Sequence, residues 1–450
     1  RHLIAGLRSG KMWKAAVIVL LAVVPFVPSL EFAGRTEKLW SEVQWRTTRQ
    51  LATSFPVPET TDPEKRARLL MSKFPFVDAH SDVPMQLRLQ FNGNVHKMAE
   101  NGPVKTQGTY IDGVHVDLHK LKEGRMGMQV WAAWVPPETA DLDAVSLGMQ
   151  QVEITRAAIE AHPSVLHLAL TAHDVDAAFY QGKVGIMVGV EGGYAIGNNL
   201  ELLRVYYRLG VRIFTLTHSK SLPWASACTD SPWTPGVAGM TPFGRRVVAE
   251  CNRLGIVIDL SHASVASMHD TLSASKAPVV WSHSNAMALC NDARNVPDDI
   301  LARVRDNGGM VMVTLPERFL VLAPSVGAMN YTTVDDVVRH INYLVEQVGV
   351  DYVGFGSDYD GCTSVPHGLD HAGLLPNLVT ALIRTGRYTD ADLAKITGGN
   401  FLRVWREVER ISQSWGTAPV FGNDVSVYSS ADSNMEAPAC HYQWQSNGMK

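Results

Sequence analysis

The sequence is poor in several features that would each have named a class of protein. Five cysteines, at positions 228, 251, 290, 362 and 440, are scattered over 450 residues with no C-x-x-C pair. A disulfide-stapled miniprotein is excluded, and neither a zinc-finger nor a thioredoxin-type spacing is present. The odd count leaves at least one thiol free or paired between chains. No basic excess exists: 40 Lys and Arg face 44 Asp and Glu, a net charge of −4, so the charge balance points to no nucleic-acid partner. Neither G-x-x-x-x-G-K-[ST] nor G-x-S-x-G occurs, which leaves a phosphate-binding loop and a serine-hydrolase elbow without support.

Long apolar runs are also scarce. Ala15–Leu30 holds sixteen residues, apolar except for Ser29 and broken by Pro25 and Pro28, behind Arg1, Arg8, Lys11 and Lys14. A spanning helix needs about 20. Residues 1–33 therefore read as a signal-anchor or signal peptide, with the poor small-x-small pattern around Glu31 favouring retention. The basic flank would put the rest of the chain on the extracellular or lumenal side. Asn330-Tyr331-Thr332 is a glycosylation sequon that fits that route. Residues 34–66 read as a linker or helical lead-in, 67–412 as the folded domain, and 413–450, rich in Ser, Asn and Gly without periodicity, as an irregular tail.

What is present in quantity is apolar sequence, 46% of the chain, arranged periodically. Eight short β-type runs recur: Phe74–Ala79, Met128–Trp134, Val184–Val190, Val211–Thr217, Gly255–Ser261, Pro278–Ser282, Gly309–Leu315 and Tyr352–Ser357. Amphipathic segments such as Leu142–Ala161, Thr241–Leu254, Val265–Ser273 and Val334–Val348 fill most of the gaps, and Ala372–Arg384 follows the last run. Continuous apolar strands alternating with helices predict a parallel sheet buried on both faces. Eight such units predict a closed α/β barrel, a (β/α)8 TIM-like barrel, rather than a doubly wound open sheet.

In such a barrel the chemistry lies at the C-terminal ends of the strands. Six of the eight runs close on a residue able to bind a metal or carry a proton: His80-Ser81-Asp82, Glu191, His218, His262, His283 and Asp358. A single strand-end histidine is most often a hydrogen-bonded core residue; six such residues on one rim are not expected by chance, because strand ends favour Gly, Ser, Asn and Asp. A rival H-x-D, His115-Val116-Asp117, closes no apolar run and is rejected as a ligand pair, and His367 and His371 read as exposed loop histidines. Three histidines and two carboxylates suit two zinc ions sharing one carboxylate. His80, Asp82 and Glu191 would hold one ion and Glu191, His262 and His283 the other, with a bridging hydroxide able to attack amides or phosphoesters. Asp358 would carry the proton from that water to the leaving amine, and His218 would donate a hydrogen bond to the oxyanion.

The stretches around these residues, Val77–Pro84, Gly189–Gly193, Leu216–His218, Asn252–His262, Trp281–Ser284, Ala293–Asp298, Gly354–Gly361 and Gly398–Val404, resemble, in order from about residue 74 to about 410, the membrane (renal) dipeptidase family of zinc peptidases. The resemblance implies a two-zinc barrel that hydrolyses dipeptides, usually as a dimer. It also implies that Arg294 pairs with the terminal carboxylate of the substrate, a role suited to a planar bidentate donor. Three positions depart from the family pattern: Tyr194 stands where many members have His, Ser221 where Asn is usual, and Ser226 where an acidic residue is common. These departures motivate a second reading, a catalytically silent barrel acting as a binding or receptor-like protein. Cys290 sits where relatives have a disulfide cysteine, and Cys440 resembles one that links two subunits in relatives.

Overall fold

The computed structural model describes residues 60–100, 114–229, 238–321 and 332–415. The N-terminal apolar segment, most of the lead-in, the sequon at Asn330, Cys440 and the tail beyond 415 lie outside the described residues. Within them the helix Pro63–Leu70 opens the domain, capped by Asp62, whose side chain accepts from the amides of Glu64 and Lys65.

The described strands form one parallel sheet: β1 (Phe76–Ser81), β2 (Met126–Trp134), β3 (Leu166–Leu168), β4 (Val184–Glu191), β5 (Val211–Thr215), β6 (Val257–Asp259), β7 (Val279–Trp281), β8 (Met310–Val313) and β9 (Val353–Phe355). Their order is β1-β2-β4-β5-β6-β7-β8-β9, with β3 paired to β4 off that path. The ends of the path meet: Ser81 and Tyr359 form a parallel bridge, the Asp358 amide donates to the His80 carbonyl at 3.2 Å and the Asp82 amide to the Tyr359 carbonyl at 2.9 Å. The result is the expected (β/α)8 barrel, nearly closed. The added strand β3 is three residues long with His167 at its centre, too short and too polar for an apolar run to mark it.

The helices between strands start and stop where side-chain chemistry dictates. Pro242–Leu254 begins at Thr241, whose hydroxyl accepts from the Gly244 amide, and ends at Gly255 with φ of 82°. Ala172–Tyr180 and Val334–Val348 open with capping boxes built on Thr171 and Thr333. The closing helix Asn400–Ser414 inserts Phe401, Leu402, Val404, Trp405 and Val408 into one cluster with Val77, Met128, Val257 and Met310 from the strand starts, and so fills the N-terminal end of the barrel. Trp405 is fully buried, and Trp405→Ala should lower the unfolding free energy by about 3–5 kcal/mol through the cavity it leaves, measured by denaturant titration.

Register sets the opposite rim. Trp134 pairs with Glu191, Glu191 with Thr215, and Thr215 with Asp259, so four strands end level. Residues just past these ends therefore project from one face of the barrel.

Candidate metal centre

Glu191 ends β4 on the face shared by Met187 and Gly189, because side chains alternate along a strand. Its two carboxylate oxygens point to different neighbours: Oε2 lies 3.5 Å from His80 Nε2, while Oε1 lies 3.2 Å from His262 Nε2 and 3.4 Å from His283 Nε2. His80 Nε2 in turn lies 3.3 Å from Asp82 Oδ2. Asp82 occupies the N-cap position of the helix Val83–Phe91 yet makes no side-chain cap bond; its carboxylate is turned to His80, away from the amides that an N-cap Asp ordinarily satisfies. Two clusters of potential ligand atoms result, His80/Asp82/Glu191 and Glu191/His262/His283, and Glu191 belongs to both. Asp358 forms a third with His80 and His283, its Oδ1 4.0 Å from His80 Nε2.

The residues present fit a cation. His80 Nε2 and Glu191 Oε1 are buried atoms with no hydrogen-bond partner, a costly arrangement unless something else satisfies them. His262 Nε2 and His283 Nε2 face each other at 3.1 Å, where two neutral imidazole nitrogens offer lone pairs to a common point. Burial holds His283 down at about 3 and His262 well below the usual imidazole range, so both rings are neutral and able to ligate. Burial also opposes a charge on His80, but Glu191 and Asp82 outweigh it and lift His80 well above its ordinary value: the carboxylates call for positive charge between them. Burial, with Asp82 and Glu191 adding, raises Asp358 to about 8, a value that a nearby cation would lower.

A layer of residues beneath the ligands holds them. Asp259 accepts from the Thr215 hydroxyl at 2.6 Å, the Ser282 hydroxyl at 2.6 Å and the Ser282 amide at 2.8 Å. With its own proton given to Asp259, Ser282 Oγ accepts at 2.7 Å from His283 Nδ1–H, which leaves the Nε2 lone pair facing Glu191. Asp78 does comparable work on the other side, accepting from Gln129 Nε2 at 2.8 Å and from the Ser357 amide and hydroxyl at 2.7 Å each. The spacing of site residues missed both acids; an Asp buried in the middle of an apolar run is the signal that could have found them. Gly361 is a further unrecognised member, since a Cβ there would strike the carboxylates of both Asp82 and Asp358. His262 and Asp358 have φ of 67° and 64°, left-handed conformations that concentrate at functional sites.

The remaining expected residues surround this centre. The His218 ring lies 4.1 Å from that of His262 and 5.4 Å from Trp134, with Nδ1 3.1 Å from Ser219 Oγ. Arg294 is buried; it donates to Ser284 Oγ at 3.3 Å and to the His283 carbonyl at 3.2 Å, and sits over the Phe319 ring. No carboxylate pairs with it among the described residues, and its Nε has no partner. Tyr194 is buried beside Glu191 against Gly192, its hydroxyl donating to the Val135 carbonyl at 2.7 Å. Ser221 Oγ accepts from the Ala227 amide, and Ser226 Oγ accepts from the Gly239 amide and bonds the Ser264 hydroxyl at 2.6 Å. His115 joins no ligand cluster among the described residues. His367 is exposed, whereas His371 is half-buried and accepts from the Gly373 amide. Cys251, Cys290 and Cys362 are free thiols, and no disulfide joins the described cysteines to one another.

Comparison with known proteins is consistent with this geometry. The family model for membrane dipeptidase (peptidase family M19) matches residues 64–418. Dipeptidase 3 of Mus musculus is 37% identical over 368 residues, 80% of this chain and 70% of that protein, and Dipeptidase 3 of Rattus norvegicus is 38% identical over 365 residues, 80% and 71%. Among solved structures, a metallo peptidase from Rhodobacter sphaeroides liganded with a phosphinate mimic of the dipeptide L-Ala-D-Ala superposes with a TM-score of 0.64 at 28% identity, covering 74% of this chain and 99% of that one. A probable dipeptidase from Pseudomonas aeruginosa shares the fold, with a TM-score of 0.68 at 24% identity over 78% and 100% of the two chains.

Proposed function

The chain belongs to the membrane dipeptidase family of metallopeptidases, and from that premise we propose that it hydrolyses dipeptides using two zinc ions held by His80, Asp82, Glu191, His262 and His283. The observation that carries this reading is the division of Glu191, with one oxygen facing His80 and the other facing His262 and His283. A carboxylate so placed suits a pair of ions and not one. When bound, such a pair polarises the scissile carbonyl and supplies a hydroxide at neutral pH.

The protein's own groups do the rest. Arg294, a buried guanidinium with no carboxylate partner among the described residues, receives the C-terminal carboxylate of the dipeptide and orients it. His218, held between Trp134 and His262, donates a hydrogen bond to the carbonyl oxygen as negative charge develops there. Asp358 accepts the proton of the attacking water and passes it to the departing amine. The phosphinate dipeptide mimic bound by the Rhodobacter sphaeroides relative supports a dipeptide as substrate. Tyr194, buried with its hydroxyl on the Val135 carbonyl, replaces the His of many members and bears on substrate preference. An extracellular or lumenal location, membrane attachment through residues 1–33 and a homodimer linked through Cys440 belong to the same proposal.

Purified protein should contain about two zinc ions per chain and cleave dipeptides that carry a free C-terminal carboxylate, with activity lost on chelation and restored by zinc. Turnover that survives complete removal of metal would overturn the mechanism. Bound zinc without turnover on any dipeptide would instead favour a barrel retained as a binding protein.

A further inference from the structure

The histidine of the rejected H-x-D motif lies at a junction that the sequence does not reveal. Asp358 sits in a turn, 358–361, in which both Asp358 and Asp360 have left-handed backbones, with φ of 64° and 67°. Left-handed backbone is uncommon outside glycine, and two such residues in one turn need surroundings that hold them. Three neighbouring segments do so. From β1, the His80 carbonyl accepts from the Asp358 amide and the Asp82 amide donates to the Tyr359 carbonyl. From the helix Val83–Phe91, Gln86 Nε2 donates to the Asp360 carbonyl at 2.7 Å. The third segment is the loop carrying His115, and its contact is reciprocal: the His115 amide donates to Asp360 Oδ1 at 2.6 Å, and the Asp360 amide donates to His115 Nδ1 at 2.9 Å.

That second bond requires an unprotonated Nδ1, and it places the imidazole beside the Tyr359 ring, 5.4 Å between centroids. The His115 loop is itself anchored, its carbonyl accepting from the Ala372 amide at 3.0 Å. Asp360 is buried and His115 is largely so, at 15% side-chain exposure, so water does not readily replace either bond. We propose that His115 is a positioning residue: through its side-chain bond to the Asp360 amide it fixes the turn that aims the Asp358 carboxylate at the centre, without touching metal or substrate itself. This inference rests on the reading of Asp358 as the proton carrier.

The test is a double-mutant cycle in the full-length, zinc-loaded protein. His115→Ala should lower kcat about 10- to 100-fold, the cost of a misplacement on the order of 1 Å, with KM for the dipeptide and zinc content unchanged. His115→Asn, whose amide oxygen can occupy the position of Nδ1, should recover kcat to within about 3-fold of wild type, which a loss of packing alone would not allow. In an Asp358→Asn background His115→Ala should cost less than about 3-fold, because residues acting as one unit are not additive. An equal loss in both backgrounds, no rescue by Asn, or loss of zinc in His115→Ala would each overturn the proposal. If Asp358→Asn alone left kcat unchanged, the reading of Asp358 would fall first; if Asp358→Asn lost activity and His115→Ala did not, only the role of His115 would fall.

Discussion

Asp358→Asn should reduce kcat on dipeptides about 10²- to 10⁴-fold, the usual worth of a positioned acid–base group, while zinc content and KM stay near wild type. The substitution isolates the proton. Asn matches Asp in shape and is among the few residues at ease with positive φ, so the backbone at 64° is kept, as is the amide bond to the His80 carbonyl. Gly361, which leaves room for both the Asp82 and Asp358 carboxylates, accommodates the amide equally. What is lost is a group that can take a proton and give it back. Steady-state kinetics with metal analysis of the same preparation is the measurement, and a kcat within about twofold of wild type would remove Asp358 from the mechanism.

Glu191→Ala should have the broader effect, loss of most bound zinc and of at least about 10³-fold in activity. Glu191 is the residue shared by the three-residue clusters His80/Asp82/Glu191 and Glu191/His262/His283, so on the proposed ligand set its removal takes a charged ligand from both sites at once, whereas His262→Ala removes a neutral ligand from one. The fold should survive, since Glu191 contributes to the sheet through backbone pairing with Trp134 and Thr215 and its side chain otherwise meets the ligand histidines. Circular dichroism alongside metal analysis separates the two effects. A folded Glu191→Ala variant that retains a full complement of zinc would show that the ions, if two, are not bridged by this carboxylate.

The strands and the residues that close them were legible because both follow from local pattern. Val184–Glu191 is buried throughout and reads as a continuous apolar run ending in an acid, and the largely apolar runs before His262 and His283 lead into an imidazole in the same way. Less visible was whatever depends on register between distant segments. Asp259 and Ser282 are unremarked in sequence, and only the pairing of β6 with β7 sets them together beneath His283. Asp360 and His115 stand 245 positions apart, a separation at which no spacing rule operates. The strand β3 was invisible for a simpler reason: its three residues carry too little apolar pattern to stand out.

The order of the proposed site residues along the chain bears on how the protein is made. His80 and Asp82 leave the ribosome early, Glu191 and His262 well after them, and His283 and Asp358 later still, while the helix Asn400–Ser414 that plugs the far end of the barrel is translated last of the described elements. During most of synthesis His80 and Asp82 therefore lack the remaining members of the cluster, and the complete set comes together only once the sheet has come round to meet β1. On the proposed ligand set, cation uptake would be a late event coupled to final folding.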